Sequence, residues 1–87
     1  MKLPVIKSLV EFIKENDEDY VTETLEVLEH VSQAKGIKDE ELEVIGELIS
    51  NMYGSIEVHK DMKDNGSSQK DALNGFMKRV TGSIDKN

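Results

Sequence analysis

Apolar residues recur at intervals of three and four along almost the whole chain, a period that specifies amphipathic helix and argues against strand. Over residues 4–16, Val5, Ile6, Leu9, Val10, Phe12 and Ile13 share half of a helical wheel, and Lys7, Ser8, Glu11, Lys14 and Glu15 share the other. Pro4 suits a first turn, where its missing N–H has no intrahelical partner to lose. Over 17–35, Tyr20, Val21, Thr24, Leu25, Val27, Leu28, Val31 and Ala34 line one face. Asn16 or Asp17 supplies an N-cap there, and Gly36 a left-handed stop.

A third helix is expected over 39–64, with Lys38 or Asp39 as N-cap and Asn65-Gly66 as its end. Its main apolar face is Leu42, Ile45, Ile49, Met52, Tyr53 and Ile56, continuing into His59. Gly46 and Gly54 lie inside it, each costing ~1 kcal/mol relative to Ala unless a close helix approach requires it. The fourth helix, 68–82, starts at a Ser67 or Ser68 cap and carries Ala72, Leu73, Phe76, Met77, Val80 and Ile84 on one stripe. Gly82 is expected to end it, leaving 83–87 as a frayed tail.

Short connections favour antiparallel neighbours, so the expected fold is all-α: a small four-helix bundle forming one domain, 1–87, with a long third helix. Leu9, Ile13, Leu25, Leu28, Ile45, Ile49, Met52, Ile56, Leu73, Phe76 and Val80 are its expected core. A helix of ~25 residues is ~37 Å long at ~1.5 Å per residue, whereas a globule of this size has a radius of gyration near ~12 Å. Part of the third helix should therefore overhang its neighbours.

That helix carries a second stripe. Val44, Leu48, Asn51, Ser55, Val58 and Met62 follow 4-3-4-3-4 spacing, one position off the main face. Heptad spacing with a polar residue in the middle resembles a coiled-coil seam, in which a buried Asn fixes register and oligomer state. These six residues are the candidate interface, and a homodimer is the expected assembly.

Charge narrows the partners. The net charge is −7, and residues 17–64 hold 14 of the 18 acids but only four of the 11 bases. Phosphate backbones are bound through clustered Lys and Arg, and there is one Arg, so direct nucleic-acid binding is not expected. An acidic mimic of nucleic acid is the weaker alternative. With no Cys, disulfides and thiolate metal sites are excluded. No apolar run nears the ~18–20 residues of a membrane span, and the start of the chain lacks a signal-peptide core. A cytoplasmic protein is expected.

The chemistry of known sites is mostly missing. Di-iron bundles need Glu three residues before His, but Val27 and Ile56 precede His30 and His59 at that spacing. Tight antiparallel pairing would set His30 level with about residue 44, ~22 Å from His59. A calcium loop starting at Asp61 would need acceptors where Lys63 and Ala72 stand. No catalytic residue, cofactor or metal is assigned. The expected function is that of a non-enzymatic protein-interaction or regulatory protein, working on itself or another protein. The alternative is a ligand-binding or catalytic site between subunits near Tyr53 and His59.

Overall fold

The computed structural model describes residues 2–85, and side chains as far as Val80. Four helices and no strand are present among them: α1 (Leu3–Glu15), α2 (Glu18–Val31), α3 (Asp39–Asn65) and α4 (Gln69–Asp85). The all-α four-helix architecture with a longest third helix is thus as the periodicity specifies.

The helix ends follow local chemistry. Asp17 caps α2 by accepting the Asp19 N–H at 3.1 Å. At α3 the Glu41 carboxylate reaches back to the Lys38 N–H at 3.0 Å, one half of a capping box. Gly66 ends α3 in the left-handed region at φ 68°, and Ser68 caps α4 through the Asp71 N–H at 3.1 Å. Two ends differ from expectation. Helix α2 stops at Val31, not near Lys35: beyond it the Gln33 and Ala34 N–H groups bond the His30 and Val31 carbonyls at 3.1 and 3.0 Å in tighter turns, and the Ser32 hydroxyl donates to the Glu29 carbonyl at 2.6 Å. Helix α4 runs through Gly82 to Asp85, three residues past the expected stop. The side chain of Ile84 and the last two residues of the expected 83–87 tail lie outside the described residues.

Sequential helices are antiparallel, but the bundle is not square. Helix α3 touches all three others, while α2 and α4 do not meet. Helix α1 lies along the second half of α3, with Lys2 level with Asn51 and Ile6 level with Gly54. The α1–α3 diagonal has collapsed, pushing α2 and α4 to opposite flanks. The outcome is a slab 43 × 37 × 18 Å with a radius of gyration of 14.0 Å. Its thickness is that of two stacked helices of ~10 Å each.

Small side chains cause the collapse. The part of α3 facing α1 consists of Asn51, Gly54, Ser55 and Val58, all buried. A Cβ added at Gly54 would sit 3.1 Å from the Phe76 ring and 3.2 Å from Ile6 Cδ1, so α1, α3 and α4 converge at this glycine. Gly46 has nothing within 4 Å of such a Cβ; close approach explains only one of the two glycines inside α3. The main cluster is Ile6, Val10, Val58, Ala72, Leu73 and Phe76, with Met62, Met77 and Val80 packed against it. Ile13, Val21 and Leu25 are buried on the α2 side.

This corrects the expected core. Leu9, Leu28, Ile45, Ile49, Met52, Ile56 and Val80 are only half-buried; on α3 the central face is taken by Asn51, Gly54, Ser55 and Val58. Ile6, Val10, Val21, Val58 and Ala72 take the central places instead.

Candidate functional site

The candidate interface divides at Asn51. Asn51, Ser55 and Val58 are at most 1% exposed, and Met62 packs against the main cluster. Asn51, Ser55 and Val58 are covered by the chain's own helices, and Met62 is half-buried. Asn51 does not set an intermolecular register: its Oδ1 accepts the Lys2 backbone N–H at 2.9 Å, and its Nδ2 donates to the Glu47 carbonyl at 2.9 Å. It pins the start of α1 to the middle of α3. Helix α1 has no side-chain cap of its own, so this bond satisfies one of the donors that a helix start leaves open. Ser55 likewise spends its hydroxyl inside the chain, donating to the Met52 carbonyl at 2.7 Å.

Val44 and Leu48 have a different fate. Helix α1 begins level with Asn51, so the first half of α3 has no α1 beside it. Val44 is 60% and Leu48 39% exposed, and Leu42 is exposed too. The overhang inferred from length is real, and it lies at the N-terminal end of α3.

Tyr53 and His59 each face a different acid of α2. The Tyr53 hydroxyl faces the Glu29 carboxylate, 3.3 and 3.4 Å from its two oxygens. The negative charge of Glu29 raises the Tyr53 pKa above its ordinary value, with desolvation and the hydrogen bond adding in the same direction. His59 Nδ1 lies 3.5 Å from Glu18 Oε1, in an open polar hollow with Lys14, Asp17, Asp19 and Lys63 along its walls. The Tyr53–Glu29 contact places His30 level with about residue 52, so His30 and His59 are separated by roughly 10 Å along the bundle, less than tight pairing predicts. The 32–38 connection climbs alongside α3 and does not turn back at once. Asp61 is occupied locally: its Oδ1 accepts from Asn65 Nδ2 at 2.6 Å and from the Ser67 hydroxyl at 3.5 Å. Among the described residues no three His, Asp or Glu side chains stand close enough to share a metal ion. No described helix is long and apolar enough to cross a membrane.

Two surface features escaped sequence reasoning. One is a hollow of about 240 Å³ between α1 and α2, lined by Leu9, Phe12, Tyr20, Val21, Thr24 and Met52. The Phe12 and Tyr20 rings meet edge-on at its mouth, with centroids 5.9 Å apart. The other is the division of charge on α1. Lys14 Nζ donates to Gln69 Oε1 at 3.1 Å, and Lys7 lines a hollow with Gln69, Lys70 and Leu73, so both lysines turn toward α4. The wheel of α1 signals that division; the hollow depends on the crossing of helices and has no sequence signal.

The comparisons with known proteins reach the family and no further. The model of a family of unknown function, DUF6952, matches residues 1–85. The chain belongs to that family. No curated protein and no solved structure matches it. The DUF6952 match covers all four helices, so the family description applies to the whole bundle, and its chemistry has to be read from the surface.

Proposed function

We propose that the protein is a small, acidic, non-enzymatic interaction protein of the cytoplasm that docks on protein surfaces, including a second copy of itself. The observation that carries this reading is the first half of α3, which extends past the start of α1 and leaves Leu42, Val44 and Leu48 exposed. Val44 and Leu48 stand one turn apart on one face of the helix, a pair of exposed apolar side chains that a partner would cover. A slab two helices thick buries little core, and small domains without disulfides or metals gain stability by association.

In the proposed dimer, Val44 and Leu48 of two chains pack about a two-fold axis. The acids of the 17–64 segment oppose it, so salt that screens their repulsion leaves the dimer intact or strengthens it. Sedimentation equilibrium at low and moderate salt tests this. The expected result is a dimer at high micromolar concentration that dissociates in Val44→Glu and Leu48→Glu with helicity retained. A strict monomer in both salts rejects self-association. Val58→Glu is unsuitable as a probe, because Val58 is fully buried and a charge there unfolds the chain.

A further inference from the structure

We propose that the α1–α2 groove is a docking site for a cationic amphipathic helix of a partner protein. The inference deepens the interaction reading but does not depend on self-association, which uses a different surface, the first half of α3.

The groove has an apolar floor and an acidic rim. Leu9 and Phe12 from α1, Tyr20 and Thr24 from α2, and Met52 of α3 beneath them form a hollow of about 240 Å³. That is below the ~300–1,000 Å³ typical of small-molecule pockets and suits individual inserted side chains. The apolar track continues along α2 on the same stripe as Tyr20, through Val27 at 61% and Val31 at 38% exposure. At about 1.5 Å per residue, the stretch from Tyr20 to Val31 is ~16 Å long, three turns of an incoming helix whose i, i+3/i+4 and i+7 side chains would seat on it.

The rim selects the sign of the partner. Asp17, Asp19 and Glu23 surround Tyr20 on the α2 side, and Glu15 lies on the outer face of α1 next to Phe12 in the helical wheel. Of the bases of α1, Lys7 faces the α4 side, and Lys14 donates to Gln69 of α4 while also lining, with Lys63, the far side of the hollow that holds Asp17 and Asp19. Lys and Arg flanking an apolar stripe would meet carboxylates on both banks. A second copy would bring the 17–64 segment's own acids against this rim, so charge complementarity favours a basic partner over self-docking.

The test uses a defined probe: a fluorescein-labelled, 14-residue Leu/Lys peptide patterned as an amphipathic helix, titrated by fluorescence anisotropy with the full-length protein. A scrambled peptide of the same composition serves as the control. Val27→Asp discriminates, because it adds a negative charge at a position exposed enough to leave the fold intact. If the peptide were held only by charge, Val27→Asp would tighten binding. Docking on the apolar track predicts binding weaker by about tenfold or more, Tyr20→Ala weakening it as well, and the scrambled peptide binding at least tenfold less tightly. Glu23→Lys should weaken binding and flatten its salt dependence. Equal binding of patterned and scrambled peptides, or Val27→Asp that tightens or leaves affinity unchanged, overturns the proposal. So does a dimer that Val27→Asp dissociates and the peptide cannot, since the groove's occupant is then a second copy. A monomer that binds the patterned peptide keeps the groove and removes only the dimer.

Discussion

Alanine at Gly46 and at Gly54, made one at a time, should move stability in different directions although the two glycines look alike in sequence. Ala is favoured over Gly in a helix interior by ~1 kcal/mol. At Gly46 a Cβ meets nothing within 4 Å, so Gly46→Ala should deliver that gain, raising the melting temperature by about 4–8 °C for a domain of this size. At Gly54 the same Cβ falls 3.1 Å from Phe76 Cε2 and Cζ and 3.2 Å from Ile6 Cδ1. Carbon pairs prefer ~3.5–4.0 Å, so α1 and α4 must each yield by a few tenths of an ångström. Neither contact atom belongs to a free surface side chain: Ile6 is fully buried and Phe76 is 7% exposed. Overpacking a filled core costs ~1–3 kcal/mol, which cancels or exceeds the propensity gain. The two variants should therefore differ by ~1–3 kcal/mol, with Gly46→Ala above the parent and Gly54→Ala level with it or below. Urea denaturation at one protein concentration, with matching m-values, measures the difference. Equal stabilisation by both would refute the claim that Gly54 sets the α1–α3–α4 distance.

The core assignment is checked by a second pair: Ile6→Ala should cost ~2–5 kcal/mol, whereas half-buried Leu28 should lose only ~1–2 kcal/mol on truncation, both read from urea midpoints. Asn51→Ala should cost ~1–3 kcal/mol by leaving the Lys2 N–H without its partner, and hydrogen exchange at Val5 and Ile6 should accelerate as the start of α1 frays. The raised pKa of Tyr53 means that the folded state holds the phenol proton more tightly than the unfolded chain does. Its contribution to stability is present below the unfolded value near ~10 and is lost as pH rises through the folded one. Carbon-detected NMR of the Tyr53 ring should show the titration midpoint falling in Glu29→Gln, and an unchanged midpoint would remove Glu29 as the cause.

The existence of four helices, and most of their ends, follows from local rules that the sequence states openly. Apolar spacing near 3.6 identifies each segment, and Asp17, Gly66 and Ser68 act within a few residues of where they stand. Even the overhang of α3 is readable, because helix length is arithmetic. What the sequence left undecided is which stripe of α3 lies at the centre. Hydrophobicity ranks Ile45, Ile49, Met52 and Ile56 first, since it measures how much a side chain gains by leaving water. The distance between two helices is set instead by the smallest side chains at their crossing. Asn51, Gly54 and Ser55 let α1 settle onto α3, while Ile45, Ile49, Met52 and Ile56 beside them stay half-buried. The same crossing gave Asn51 a backbone partner 49 residues away and opened the α1–α2 groove. Both depend on where one helix begins relative to another, and only the tertiary packing decided that register.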